Sequence, residues 1–371
     1  MSVLTTFRLS DPLGVSLIEI VNYVSFTYVL NCSPGQIGVL ELELPRSFDT
    51  SLLLRDGRIG PWRAISGRPP YNDNGAQYLI ETISYRSTST LVRAYHATGI
   101  MDRRIIAYAA GSAYASKAAT FADDMLKTFW TENAGASISS ADRDGVETQA
   151  DISAYITTQA NLSAGASVAK AAARRNLLAV AQELAEASTT AGTYLTFEII
   201  APTESTLELR TYTTQRGVDR RASTASPVIL REQAGVLENA SLTIDYHDEK
   251  TFIVAGGQGE GTARLIATAL DTTRMGVSPF GRIETFADMS NVNSAAGLQD
   301  DADSGLRNGR PIITFTGDLI ETPALTRGIQ FDLGDMLTAE DPQTHQQYDV
   351  RLDMVQESSS GTSRIALRSV T

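Results

Sequence analysis

The stretch from Phe331 to Leu367 constrains this chain more than any other. Phe331-Asp332-Leu333-Gly334-Asp335-Met336-Leu337 leads through a polar turn, Asp341-Pro342-Gln343-Thr344-His345, into the alternation Val350, Leu352, Met354 and then Ile365, Leu367. Apolar residues at every second position put one face of a strand in a core and the other in water. The segment therefore predicts strands at the edge of a small β-barrel, with a Gly-Asp turn between the patterns. Nothing beside that turn has the look of a reactive centre.

The other end of the chain repeats the theme. Val24, Phe26, Tyr28 and Leu30 alternate with Ser25 and Thr27, and after Asn-Cys-Ser-Pro-Gly the run Val39-Leu40-Glu41-Leu42-Glu43-Leu44 carries its carboxylates on the open face until Pro45 stops it. These two strands predict an antiparallel pair. Arg58, Ile59, Trp62, then Tyr78, Ile80, Ile83, Val92 and Tyr95, add β-branched and aromatic content that favours more strands. A barrel-like domain over residues 1–98 follows.

Composition then shifts toward alanine. Phe121, Met125, Leu126, Phe129 and Trp130 recur at helical spacing within Ile100–Asn133, and Leu177, Leu178, Val180, Ala181, Leu184 and Ala185 define a second apolar helix face after Asn176. Residues 134–150 read as a loop or linker. Thr193–Ile200 and Thr206–Tyr212 alternate as strands, so residues 99–235 form a mixed α/β middle domain. From 236 to 309 the chain is β-rich with one short helix, Ala295–Leu306, while Leu265–Leu270 fits a strand or an extended arm. Ile312–Thr316 opens the last unit, 310–371.

With 371 residues, 42% of them hydrophobic and 20% charged, the chain falls in the globular class and has room for several domains. The apolar run Leu17–Leu30 is broken by Glu19, Asn22, Ser25 and Thr27, which excludes a helical membrane span there. No stable membrane insertion is expected. The N-terminus lacks the pattern of a secretory signal, so no export address is expected. A single cysteine, Cys32, excludes an intramolecular disulfide or a cysteine zinc cluster. The net charge of −12 opposes a surface that grips phosphate backbones. The basic pairs Arg103-Arg104, Arg174-Arg175 and Arg220-Arg221 stand apart from one another and suit solvated faces or interchain ion pairs.

Candidate chemistry is sparse. Asp245-Tyr246-His247-Asp248-Glu249 aligns at most two metal ligands and reads as a hairpin tip; His96 and His345 lie at strand and turn positions. Gly256-Gly257-Gln258-Gly259-Glu260-Gly261 lacks the lysine and hydroxyl of a phosphate loop, and its glutamate would oppose a bound phosphate. Asp300-Asp301-Ala302-Asp303-Ser304-Gly305 departs from the calcium-loop pattern at Ala302 and at Ile312, and reads as the acidic side of a helix. Glu284 is the most conspicuous lone carboxylate, but Arg282 shares its strand face and no mate is singled out for acid–base work. No catalytic, cofactor-binding or metal residue is assigned, no cofactor is expected, and a non-enzymatic protein follows.

In order along the chain, Gly57-Arg58-Ile59 with Trp62, Arg103-Arg104, Ala122-Asp123-Asp124-Met125, Asn176-Leu177-Leu178, Gly217-Val218-Asp219-Arg220-Arg221, Ala255 to Gly261, Gly281-Arg282-Ile283-Glu284 and Leu333-Gly334-Asp335 resemble the hub or tail-tip proteins of long-tailed phages. That family extends to injection machines and gene-transfer particles. The resemblance implies an α+β chain with two tail-tube-like antiparallel β-barrel domains, the second completed by strands from 236–290, around the mixed middle region. It further implies a homotrimer whose two barrels per subunit make a pseudo-sixfold ring. Such a ring would join the hexameric tail tube or distal tail protein to peripheral tail-tip or receptor-binding proteins. DNA, and any tape-measure protein, would pass through without specific binding. The expected location is the virion tail tip, after assembly in the host cytoplasm. A phage-borne or extracellular carbohydrate-binding or carbohydrate-cleaving protein is the alternative; it would need an exposed aromatic platform or two converging carboxylates.

Overall fold

The computed structural model describes residues 3–65, 67–134, 152–289 and 295–370. The N-terminal alternation becomes eight strands: β1 (Val3–Ser10), β2 (Ser16–Ile20), β3 (Ser25–Asn31), β4 (Val39–Pro45), β5 (Arg58–Ile65), β6 (Tyr71–Asn72), β7 (Tyr78–Tyr85) and β8 (Ser89–His96). In β3 and β4 every second residue is buried, and Phe26 faces Leu42 while Tyr28 faces Leu40 across an antiparallel ladder. Val24 precedes the strand and is exposed. Glu41 and Glu43 occupy the open face, where Arg93 bonds Glu41 and the Ser25 and Ser89 hydroxyls donate to Glu43.

The middle region folds as β9 (Ser116–Phe121), α1 (Ala122–Ala134), β10 (Ile156–Thr158), β11 (Ser167–Ala171), α2 (Leu177–Thr190), β12 (Leu195–Thr203) and β13 (Thr206–Thr213). The helical stripe expected from Ile100 onward is confined to α1. Ser116–Phe121 instead pairs antiparallel with β11, and Phe121 sits 42% exposed at the strand end, off the stripe. Tertiary pairing overrides the helical preference of Ala118 and Ala119. The linker expected at 134–150 lies outside the described residues except for Ala134, which ends α1. Asn176 caps α2, its Oδ1 accepting the Ala179 amide at 3.0 Å. Met125, Leu126, Phe129 and Trp130 of α1 and Leu177, Val180, Ala181 and Leu184 of α2 form one core with β12 and β13.

The remaining elements are β14 (Ile229–Leu230), β15 (Leu237–Asp245), β16 (Phe252–Gly256), β17 (Ile266–Leu270), α3 (Thr272–Met275), β18 (Glu284–Asp288), α4 (Ala295–Asn308), β19 (Ile312–Leu319), β20 (Met336–Glu340), β21 (Gln347–Ser358) and β22 (Ser363–Ser369). Leu265–Leu270, open to two readings in sequence, is a strand from Ile266. β16, β17 and β18 form a small sheet covered on one face by α4, with Ile253, Ala255, Ala269, Leu298 and Ala302 between them.

The fold is α+β and mostly sheet. Fourteen strands join into one sheet along the path β15-β19-β22-β21-β3-β4-β8-β7-β5-β1-β2, with β6, β14 and β20 as side pairings. The C-terminal segment is not an edge. β21 is long enough to pair β20 through Gln347–Arg351 and β3 through Met354–Ser358, with β22 on its other side. One core accordingly runs from Phe7 and Leu9 to Ile365 and Leu367. Among the described residues the path ends at β15 and β2, so the sheet is open rather than a closed barrel.

Leu352 is fully buried at the middle of β21. Leu352→Ala should cost about 2–5 kcal/mol, read from urea or thermal melts, and Leu352→Asp should yield insoluble or unfolded protein. A variant with unchanged stability would contradict the junction described for β21.

Candidate assembly site and its buried ion network

Asp73, just after β6, and Arg327, in the loop after β19, are both completely buried. The pairing is bidentate: Arg327 Nη1 donates to Asp73 Oδ1 at 2.8 Å and Nη2 to Oδ2 at 2.7 Å. Nη2 also reaches Glu357 Oε1 of β21 at 2.7 Å, whose other oxygen accepts the Ser363 hydroxyl at 2.7 Å. Arg63 of β5 donates through Nη2 to both oxygens of Glu321 at 2.9 and 2.8 Å and lies 3.9 Å from Glu357. The Tyr28 hydroxyl of β3 completes the shell of Asp73 at 2.7 Å. Burial opposes ionisation of Asp73, but the Arg327 charge and its hydrogen bonds override this and hold the carboxyl well below the usual range. Burial would likewise lower Arg327; the charges of Asp73 and Glu357 push it up instead.

The Leu333-Gly334-Asp335 turn fastens the middle region to this sheet. Asp335 Oδ1 accepts the Val218 amide at 2.6 Å, Oδ2 accepts Arg220 Nε at 3.1 Å, and Arg216 Nη1 donates to the Leu333 carbonyl at 2.7 Å. Arg216 Nε also bonds Glu198 of β12 at 2.9 Å. Gly334 has φ +86°, and a Cβ on Gly217 would stand 2.1 Å from Asp335 Oδ1, so both glycines are dictated by this close approach. Cys32 is buried in the same joint: its carbonyl accepts the Thr196 hydroxyl at 2.6 Å, and burial raises its thiol pKa far above the ordinary value. It is a packing residue there.

The residues singled out from sequence are scattered. Arg103 pairs with Asp56 and Glu81, Arg175 with Glu183, Arg220 with Asp335, and Arg221 with Asp219 and Asp349, all within the chain. His247 is exposed beyond β15, where Asp245 Oδ1 accepts its amide at 2.8 Å; His345 is exposed in the Asp341–Gln346 turn. Gly256 packs so tightly that a Cβ would meet Phe286 at 2.5 Å, and the glycine loop passes through one short 3-10 turn, Gly261–Ala263, into β17 rather than into an α-helix. The acidic run beginning at Asp300 lies inside α4. Glu284 is bonded to Arg282. On the open face of the small sheet, Arg264 and Arg282 sit over the rings of Phe286 and Phe252, which occupies two of the ring faces a sugar would stack on. Sequence reasoning missed Arg63, Asp73, Arg327 and Glu357 because the partners lie as far as 258 positions apart in their hydrogen bonds.

The two ends of the large sheet's path, β2 and β15, lack a second neighbour among the described residues. At β2, Leu17 and Ile18 are exposed, with Leu13, Val15 and Val21 beside them. At β15 most side chains face outward. Between β1 and β19 lies a cleft of about 430 Å³ lined by Leu4, Glu238, Asp318, Glu321, Glu357 and Arg63.

The chain belongs to the Siphovirus ReqiPepy6 Gp37-like protein family, whose profile matches residues 79–367. No curated protein matches it. Among solved structures it is similar to the tail protein from Neisseria meningitidis MC58, at 12% identity over 98% of this chain and 96% of that one, with a TM-score of 0.58. The 43 kDa tail protein of prophage MuSo2 from Shewanella oneidensis is similar at 10% identity over 99% and 98%, TM-score 0.57. Prophage tail protein gp18 from Listeria monocytogenes EGD-e is similar at 13% identity over 98% and 94%, TM-score 0.55. The resemblance to phage tail proteins thus holds at the level of family and fold.

Two outcomes follow from the electrostatics. Arg327→Leu strands Asp73 and Glu357 as buried carboxylates and should cost about 3–5 kcal/mol; denaturant melts measure it. His96, half-buried with the Tyr78 ring edge-on at 5.6 Å, has its pKa lowered to about 4, chiefly by burial. The unfolded chain therefore binds this proton first, so stability should fall as pH drops from about 6.5 toward 4. His96→Phe should flatten that part of the profile, while loss from Asp73 appears only below the ordinary aspartate range, near pH 4.

Proposed function

We propose that this chain is the structural hub of a phage tail: a homotrimer that joins the hexameric tail tube or distal tail protein to the tail tip. It holds peripheral or receptor-binding proteins and lets DNA and the tape-measure protein pass. The observation that carries this reading is the open sheet, whose two unpaired edges bear exposed apolar side chains. Such edges invite pairing with another chain. Closing them around a threefold axis satisfies both edges of every subunit without leaving a free end.

In this reading residues 1–98 form one tube-like barrel unit. The other is residues 310–371 with strands from 236–309, and 99–235 is the middle domain. Three subunits then present six such units to a sixfold tube. The net charge of −12 suits a passage that DNA must traverse without adhering. The role is non-enzymatic. Its place is the virion tail tip, reached after assembly in the host cytoplasm.

The purified chain should run at three times 39.9 kDa in sedimentation experiments and show threefold rings by negative-stain microscopy. Ile18→Lys, on the exposed β2 edge, should shift it toward monomer while leaving the thermal melt of the subunit within about 0.5 kcal/mol of the parent. A chain that stays monomeric when tail-tube protein is added overturns the proposal.

A further inference from the structure

Arg58 stands apart from the other buried cations. It is 2% exposed, yet no carboxylate among the described residues lies within ion-pair distance of it, whereas Arg63, Arg216 and Arg327 each hold at least one. Its Nε donates to the Pro12 carbonyl at 3.1 Å and its Nη1 to the Ser205 carbonyl at 3.3 Å. Those bonds clamp the β1–β2 turn to the β12–β13 turn. They satisfy two donors but do not neutralise the charge. Asp11, whose field reaches Arg58, spends its Oδ1 on the Leu13 and Val15 amides at 2.9 and 2.8 Å. A buried guanidinium without a counter-ion is costly.

Arg58 also lines a cavity of about 420 Å³ where the sheet meets the middle region, with Leu13, Ile100, Tyr155, Ile156 and Leu207 among its walls. Gly14 protects the geometry: at φ +90°, a Cβ there would press within 2.9 Å of Arg58 Nη1 and 2.7 Å of the Ser205 carbonyl. Arg103, Arg104 and Asp56 also stand in the wall, and Arg103 is held by both Asp56 and Glu81 at 2.6 Å. Arg58 thus brings a positive charge with no carboxylate of the described residues at ion-pair distance to mainly apolar walls, in a chain that is acidic overall.

We propose that this cavity is a binding site for a single carboxylate carried on an apolar stem, the anion meeting Arg58 and the stem lying against Leu13, Tyr155 and Ile156. A carboxylate would supply the counter-ion that no described residue places within ion-pair distance of Arg58. Arginine recognises a carboxylate through directed charge-assisted hydrogen bonds, and a mostly apolar cavity with few polar groups is how small-ligand sites are built. Nothing here depends on the hub reading.

The test titrates the folded full chain with sodium hexanoate, 1-hexanol, N-acetylleucine and N-acetylleucinamide by calorimetry, with amide chemical shifts to locate the site. Saturable binding of at least one acid, ten times or more tighter than its neutral counterpart, with shifts at Tyr155 and Ile156, is expected. Preference for hexanoate or for N-acetylleucine tells a free alkyl acid from a peptide terminus. Arg58→Gln should weaken binding at least tenfold and Arg58→Lys much less. Should Arg58→Gln fail to fold, Tyr155→Glu, at a 48% exposed wall position, should produce the tenfold loss by repulsion. Absence of saturable binding by either acid at millimolar concentration overturns the proposal. So does equal binding of the neutral compounds, or undiminished binding by a folded Arg58→Gln or Tyr155→Glu chain.

Discussion

Arg327 is wholly buried, and the register of the sheet and the arrangement around this side chain have to agree. Its guanidinium needs Asp73 from the N-terminal strands and Glu357 from β21 at once, and Arg63 needs Glu321 from the same loop. Buried ion clusters of this sort add little net stability over apolar packing, because desolvation offsets the attraction. Their cost when misassembled is what matters: any register that separates these residues leaves an uncompensated charge in the core. Strands distant in sequence are thereby held to one pairing.

That pairing centres on β21. Its twelve residues serve two neighbours on one side and β22 on the other, so the N-terminal and C-terminal strands become one sheet over one core. The turn that precedes β20 then does a second task. Asp335 and the Leu333 carbonyl collect Val218, Arg220 and Arg216, and through Arg216 and Glu198 the middle region is tied to the same place. A turn that looked architectural in sequence is the joint between the sheet and the insertion.

Local pattern was legible wherever local forces decide. The alternation in β3 and β4, the apolar face of α2, and the α4 helix all follow from periodicities of two or of 3.6 residues, and each is where that reading put it. Phe121 was misplaced because Ala-rich residues 116–121 satisfy a helical pattern, while the partner that makes them a strand, β11, lies some fifty positions later. Arg58 drew notice only as part of a motif; its lack of a counter-ion is a property of space, not of spacing.

The sequence by itself determined the class: alternating strands at both ends, a mixed insertion between them, an acidic balance, and little that resembles a reactive centre. Those features arise from side-chain patterns within a few residues of one another. Only the tertiary structure decided that β21 is an interior junction, that the sheet keeps two open edges, and that Arg63, Asp73, Arg327 and Glu357 meet. Contacts of that kind depend on which distant strands share a ladder, and chain periodicity, which sets faces but not partners, carries no information about them.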